Sequence, residues 1–196
     1  MTNEEDLRPR IIKWANRPRK PRVLHRYHAS EIWGLLTINY KTGKPYTTPE
    51  DWVNGKVFDE KGSMNVWHGT FTHEKIQSLY PEYEQELPKV YEKNGIIISG
   101  KADLINETEV IELKSSLDKV HDTAKSWHIF QLKLYLTMFE RSVGRVGQPF
   151  WRDKVPYLKW LGTYKRSDSW FEGQVEKLGV IDKKITEYYE VQKRKR

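Results

Sequence analysis

The 196-residue chain contains no cysteine. Disulfides, thiolate zinc sites, cysteine-ligated iron–sulfur clusters and catalysis by a thiol are thereby excluded. No apolar run approaches the roughly 20 residues that span a bilayer. The opening stretch MTNEEDLRPRIIKWANRPRKPR is polar and proline-rich and lacks the apolar segment of a secretory signal. The expectation is a soluble cytoplasmic protein with no membrane partner. No repeat period and no low-complexity tract is visible.

What is present is material for a core, and positive charge. Apolar residues make up 37% of the chain, with eight Trp and eleven Tyr, enough for a packed interior. At this length one domain with terminal extensions is expected. The net charge is +7 and the isoelectric point is near 9.3, which favours a polyanionic partner, nucleic acid first. Residues 1–23 read as a flexible basic arm. Arg17, Arg19, Lys20 and Arg22 alternate there with Pro18 and Pro21, which block a regular helix. Such an arm is either a solvated tail or a phosphate-touching one. Residues 24–196 are the expected domain, with a core over about 66–165 and an amphipathic C-terminal helix over 174–193 that ends in the basic KRKR.

HASEIWGLLTIN predicts a short helix with Ser30 as N-cap and Glu31 in its first turn. Residues 41–63, rich in Gly, Pro, Thr and Asp, predict a loop. VWHGTFTHEKIQSLYPEY predicts a second helix with Phe71, Ile76 and Leu79 on its apolar face, ended by Pro81. ELPKVYEKNG predicts a strand turning at Asn94-Gly95. Two more strands follow, Ile96 to Ile105 and Glu109 to Ser115, joined by NET. DTAKSWHIFQLKLYLTMFERSV predicts the strongest helix, with Asp122 as N-cap. Residues 142–156 read as a loop, and VPYLKWLGTYK as a further strand. Helix, three strands, helix, strand is the pattern of an α/β protein with a small mixed sheet flanked by helices.

The hairpin carries the chemistry. Glu112 and Lys114 are two residues apart on a strand and share a face, whereas Ile111 and Leu113 point the other way, into packing. Closing the hairpin at NET sets Asp103 opposite Ile111, give or take one residue, and therefore beside Glu112. Two carboxylates held close repel, and burial adds several kcal/mol of desolvation per ion. An ammonium relieves part of this; a divalent cation relieves more. Carboxylate oxygens completed by water and phosphate are the ligands Mg²⁺ prefers. Such an ion acidifies bound water and neutralises charge on a phosphate, and a lysine beside it can orient the water and stabilise the anion. The alternative is an edge hairpin with an ordinary ion pair.

Other candidates lie nearby. GIIISGKA almost matches a phosphate-binding loop, but Ala102 stands where the hydroxyl should be and the inner residues form a strand; no nucleotide cofactor is expected. Gln131 and Tyr135, at i and i+4, stand on one helix face. They either face solvent or lean over the hairpin. His68 and His73 are either structural or offer an imidazole, which suits manganese somewhat better than magnesium.

Taken in order, His73, GKAD with Asp103, ELK with Glu112 and Lys114, and QLKLY with Gln131 and Tyr135 resemble the RecB-type branch of the PD-(D/E)xK nucleases. The likeness extends over about residues 66–165 and, more distantly, to the lambda-type exonucleases. It implies a restriction-endonuclease-like αβββαβ core and Mg²⁺ or Mn²⁺ as cofactor. By resemblance, Asp103, Glu112, the backbone carbonyl of Leu113, and His73 hold the metal, and Lys114 is the catalytic lysine. Gln131 and Tyr135 complete the site and contact the scissile strand. HASEIWGLL is similar to the helix start of lambda-type exonucleases, which gives Ser30, with Arg26 beside it, a terminal phosphate to bind; a helix N-terminus suits an anion. The cluster-binding cysteines of many relatives are absent, and no helicase motif accompanies the domain. A stand-alone enzyme of this size suits a phage or viral genome, and its place of action would then be the host cytoplasm.

The function expected is a metal-dependent DNase acting on single- or double-stranded DNA ends, an exonuclease before an endonuclease. The alternatives are an inactive DNA-binding module on the same fold, or a structure-specific endonuclease or resolvase. Related enzymes range from monomers to rings, so an oligomer is compatible. Basic residues of the arm and tail would add salt-sensitive affinity. Trp151, Trp160 or Trp170 could stack unpaired bases, although core packing is the commoner use.

Overall fold

The computed structural model describes residues 6–17, 22–55, 58–117 and 119–194. In chain order they form α1 (Arg8–Ala15), β1 (Arg26–His28), α2 (Ala29–Leu36), α3 (Pro49–Asn54), α4 (Glu60–Gln77), β2 (Glu84–Lys93), β3 (Ile96–Ile105), β4 (Glu109–Leu113), α5 (Ser126–Met138), β5 (Val143–Arg152), β6 (Val155–Lys165) and α6 (Asp168–Arg194). The mixed α/β architecture expected from the sequence is the one found.

The most isoleucine-rich segment becomes the central strand β3. Along one edge it pairs antiparallel with β2 from Ile96↔Lys93 to Ile105↔Glu84. The turn between them places Asn94 at φ 53° and Gly95 at φ 76°, the left-handed pair that a two-residue hairpin needs. A strand has only two edges, so β1 and β4 must share the other. β1 runs parallel to Ile97–Ser99, and β4 runs antiparallel to Leu104–Ile105. Gly100 to Asp103 therefore have no strand beside them on that edge. Beyond β4 the sheet continues through β5, parallel, to β6, antiparallel.

Two apolar clusters hold the layers. The larger joins α2, α5 and α6 to the sheet through Tyr27, Ile32, Ile98, Leu132, Phe171 and Leu178. The smaller, under α4, consists of Ile76, Leu104, Ile111 and Leu113, so Ile111 and Leu113 do turn into packing. Asp182 ties α6 to β1: the Tyr27 hydroxyl donates to its Oδ1 at 2.5 Å and His25 Nδ1 lies 2.8 Å from its Oδ2.

The structure corrects several expectations. Part of the supposed flexible arm is helical: α1 starts with a proline near its N-terminus, where a missing N–H costs nothing, and buries Ile11 and Ala15. The Pro18–Pro21 stretch lies outside the described residues, as do Lys195 and Arg196 of the basic tail. The 41–63 loop contains α3 and the start of α4. On α4, Ile76 is buried but Phe71 is 47% exposed; the helix ends at Gln77 rather than at Pro81, so Leu79 lies beyond it, 59% exposed. α5 begins at Ser126 rather than Asp122, whose carboxylate accepts from Lys159 instead, at 2.8 Å. The supposed loop 142–156 holds β5. Its Gly144 and Gly147 argue locally against a strand, but each solves a packing problem. A Cβ at Gly144 would come within 2.7 Å of Leu132 on α5, and one at Gly147 within 2.9 Å of Leu158 on β6. Absent side chains let the helix and the neighbouring strand close on β5.

Candidate active site

The unpaired stretch of β3 is the GKAD segment, and its free edge is capped by side chains. The Tyr135 ring and hydroxyl lie against the backbone at Gly100. Tyr135 can lie this close only because residue 100 is glycine: a Cβ there would meet the tyrosine ring at 2.5 Å. One step along, Asp103 Oδ2 accepts from the Leu113 backbone N–H at 2.7 Å. A carboxylate thus replaces the ladder partner that β4 would otherwise find on β3. The observed pairing Leu104↔Ile111 sets Asp103 across from Glu112, within the one-residue latitude of the sequence reading. β4 ends at Leu113, two residues earlier than expected, where the Lys114 N–H turns to the Gly147 carbonyl of β5 at 2.8 Å.

Asp103, Glu112 and Lys114 do converge. Lys114 Nζ donates to Glu112 Oε1 and, at 3.1 Å, to Gln131 Oε1. Gln131 Nε2 donates in turn to the Tyr135 hydroxyl at 3.0 Å. An ammonium has three donors, so one remains for water or a phosphate oxygen. Burial pushes the Lys114 amine down, but the adjacent Glu112 and Asp103 carboxylates outweigh it and raise the group above its usual value. Lys114 is therefore a cation at neutral pH. Its partner behaves oppositely. Burial first, and then the Asp103 charge, push Glu112 up to about 7 against the pull of Lys114 and His73. Asp103, also buried, is held below the usual carboxylate range by His73, Lys114 and the Leu113 N–H, which together overcome its desolvation. The two carboxylates are thus driven apart in acidity, as paired carboxylates sharing one site are.

His73 Nδ1 lies 3.5 Å from Asp103 Oδ1. Burial opposes its protonation, yet Asp103 and Glu112 leave it raised. His68 is pushed down by burial and by His73, and its Nδ1 is buried without a hydrogen-bond partner. Among the described residues, no three His, Asp or Glu side chains stand together in metal-ligand geometry. A divalent ion nevertheless suits the donors that are present. Glu112 Oε2 is buried without a hydrogen-bond partner, Asp103 Oδ1 has only the distant imidazole, and hard cations such as Mg²⁺ take one or two carboxylates and fill the rest of the shell with water and phosphate.

The flanking candidates fare unevenly. Tyr135 is fully buried, so it reaches a substrate only through Gln131 and positions rather than touches. Ser30 is not the N-cap of α2. That place is taken by His28, which forms a capping box with Glu31, while Ser30 sits in the first turn with its hydroxyl 2.9 Å from His28 Nδ1. Both Ser30 and Arg26 are exposed, and α2 packs against α5, the helix whose Gln131 bonds Lys114. Sequence reading missed Gln77. This buried amide, one turn beyond His73 on α4, donates to the Asp103 carbonyl at 2.9 Å and to Glu86 at 3.1 Å. Its i+4 spacing from His73 was the available signal. A groove of about 400 Å³ between α1 and α4, lined by Leu7, Trp14, Trp67 and Phe71, contains none of the site residues.

The Tyr135 hydroxyl accepts from Gln131 Nε2 in a dry place. Tyr135→Phe strands that donor, and a stability loss of about 1–3 kcal/mol is expected in chemical denaturation. An unchanged midpoint would show that Gln131 needs no partner there.

No protein-family model matches the chain, and no curated protein matches it. Solved structures do. An alkaline exonuclease from Laribacter hongkongensis aligns over 88% of this chain and 93% of its own, with a TM-score of 0.59 at 13% identity. Its complex with dAMP gives 0.61 over the same shares and at the same identity. A phage-related exonuclease from Haemophilus somnus gives 0.53 at 9% identity over 87% and 97% of the two chains. Likeness at such identities speaks for architecture. With the sheet that runs from β2 through the splayed β3–β4 hairpin to β5, and with α4 and α5 on its two faces, the chain has the fold of these exonuclease structures.

Proposed function

We propose that the protein is a divalent-metal-dependent DNA nuclease that degrades strands from their ends. The observation that carries this reading is the meeting of Asp103, Glu112 and Lys114 where β3 and β4 splay apart, with one carboxylate oxygen of Glu112 unpartnered. In it, Asp103, Glu112 and the Leu113 carbonyl hold Mg²⁺ or Mn²⁺, with His73 at the edge of the shell. When bound, the ion makes water a nucleophile near neutral pH and offsets charge on the phosphate.

The residues of the chain do the rest. Lys114, kept protonated by its carboxylate neighbours, cannot act as a base at neutral pH. It orients the attacking water and donates to the phosphoryl oxygen as charge builds there. Gln131 fixes the ammonium from above, and Tyr135 fixes Gln131. Ser30 and the first-turn N–H groups of α2, with Arg26 beside them, take the terminal phosphate. An end-binding group beside the cutting centre favours an exonuclease.

End-labelled linear DNA and covalently closed circular DNA, incubated with Mg²⁺ or Mn²⁺, test this. Linear DNA is expected to be shortened progressively from an end, while the circle stays intact. Nicked circles would make the enzyme an endonuclease, and retention of linear DNA without degradation at either metal would make it a binding module.

A further inference from the structure

The aromatic residues that the sequence offered for base stacking are otherwise engaged or remote. Trp160 lies under the Arg145 guanidinium at 3.9 Å, and Trp170 packs edge-on against Phe130 at 5.0 Å. Trp151 sits at the far end of the β5–β6 hairpin. A different group stands beside the site. Trp127 lies one turn before Gln131, so Trp127, Gln131 and Tyr135 form one row along α5 at i, i+4 and i+8. The middle member of that row holds Lys114. Trp127 is 42% exposed on a helix whose other face is buried.

It is also supported from behind. Trp33 of α2 approaches the Trp127 ring at 5.4 Å, and Tyr46, 48% exposed, approaches Trp33 at 4.7 Å. Trp33 is at i+3 from Ser30, on the same face of α2. The rings thus bridge the helix proposed to hold the terminal phosphate and the helix that holds Lys114. Exposed aromatic clusters in a protein this polar mark contact surfaces. The rim is cationic: Lys125 lies 5.0 Å above the Trp127 ring on a flexible stem that can move to a phosphate and yield the ring face.

We infer that Trp127, backed by Trp33 and Tyr46, is a stacking shelf for an unpaired base of the DNA strand entering the site. This rests on the nuclease reading above and adds to it the state of the substrate. Bases inside a duplex are already stacked on their neighbours and offer no face to a side chain. The shelf therefore takes a single strand, or an end that has frayed by at least one base. Stacking of this kind tolerates any base, because every base has a π-face, so the shelf gives grip without sequence preference.

The test measures binding of a short single-stranded DNA, in EDTA so that nothing is cut, with abasic residues placed one at a time along it. Trp127→Ala is expected to weaken binding by about 10-fold, within the range of about 5- to 150-fold for one stacked base, and Trp127→Phe to restore most of it. One abasic position should weaken the wild type by the same factor and leave Trp127→Ala unaffected. In Mn²⁺, KM should rise while kcat holds. Wild-type affinity in Trp127→Ala, or abasic losses that do not depend on Trp127, would remove the shelf. If Trp127→Ala fails to fold, Trp127→Phe and the wild-type abasic series still decide. Shortened linear DNA with no Trp127 dependence sinks the shelf and leaves the nuclease. Trp127-dependent binding of DNA that is never cut does the reverse.

Discussion

Lys114→Ala and Asp103→Asn are each expected to reduce DNA cleavage by at least about 1,000-fold while DNA binding persists. Removing a single preorganised donor to a developing oxyanion typically costs about 10²–10³ in rate, and Lys114 is both such a donor and the charge that keeps its neighbours in place. Its Nζ bonds to Glu112 and Gln131 at once, so the alanine variant also leaves two acceptors without a partner. Lys114→Arg is a useful control, because it keeps the charge but is longer and forked, and it is expected to recover little activity. Asp103→Asn is milder on the fold, since an amide oxygen can still accept from the Leu113 N–H now held at 2.7 Å. What it removes is the charge. Asp103 is the carboxylate held below its usual range, so it supplies a full negative charge to a cation throughout the neutral range. Quantitative cleavage assays under single-turnover conditions, beside binding measured in EDTA, separate the two effects. Undiminished cleavage by either variant would end the assignment of the site.

The hairpin was legible because it obeys rules local enough to read: alternation places Glu112 and Lys114 on one face, and Asn94-Gly95 fixes the turn before β3. The convergence with Asp103 followed from a connection too short to leave much freedom of register. Three things were not legible. β5 carries glycine where strands usually carry branched residues, and the reason is distant: Leu132 of α5 and Leu158 of β6 occupy the space a Cβ would fill. The role of Tyr135 depends on a gap in the sheet between β1 and β4, and no local pattern announces a gap. It reads as a polar residue that could face solvent, yet it is buried against the strand edge at Gly100. The helical turn of α1 was hidden by composition, because a run of Arg and Pro looks like tail whether or not Ile11 and Ala15 find something to cover them. Spacing within a strand or helix was informative throughout; what a residue meets from elsewhere in the chain was not.

Glu112 leads to the second large effect. Its carboxyl is pushed up to about 7, chiefly by burial and then by Asp103. The folded value lies above the ordinary one, so the folded chain holds a proton that the unfolded chain releases. The stability this represents is fully present below about pH 4.5 and is lost as pH rises through about 7. For a group so buried the loss is on the order of 3 kcal/mol. Without a divalent ion, the wild type is therefore expected to melt at a lower temperature at about pH 8 than at about pH 5.5, and Mn²⁺ to raise the melting temperature much more at the higher pH, where Glu112 has no proton to give up. Glu112→Gln keeps the shape and removes the titration. It is expected to lose most of the response to Mn²⁺, and to unfold with less dependence on pH, although Lys114 loses an ion pair in the exchange and offsets part of the gain. Thermal unfolding of both proteins, with EDTA or Mn²⁺ at the two pH values, gives four comparisons. Equal stabilisation by Mn²⁺ at both pH values, or an undiminished response in Glu112→Gln, would mean that the ion is held elsewhere and that the buried pair at the end of β4 is only a salt bridge.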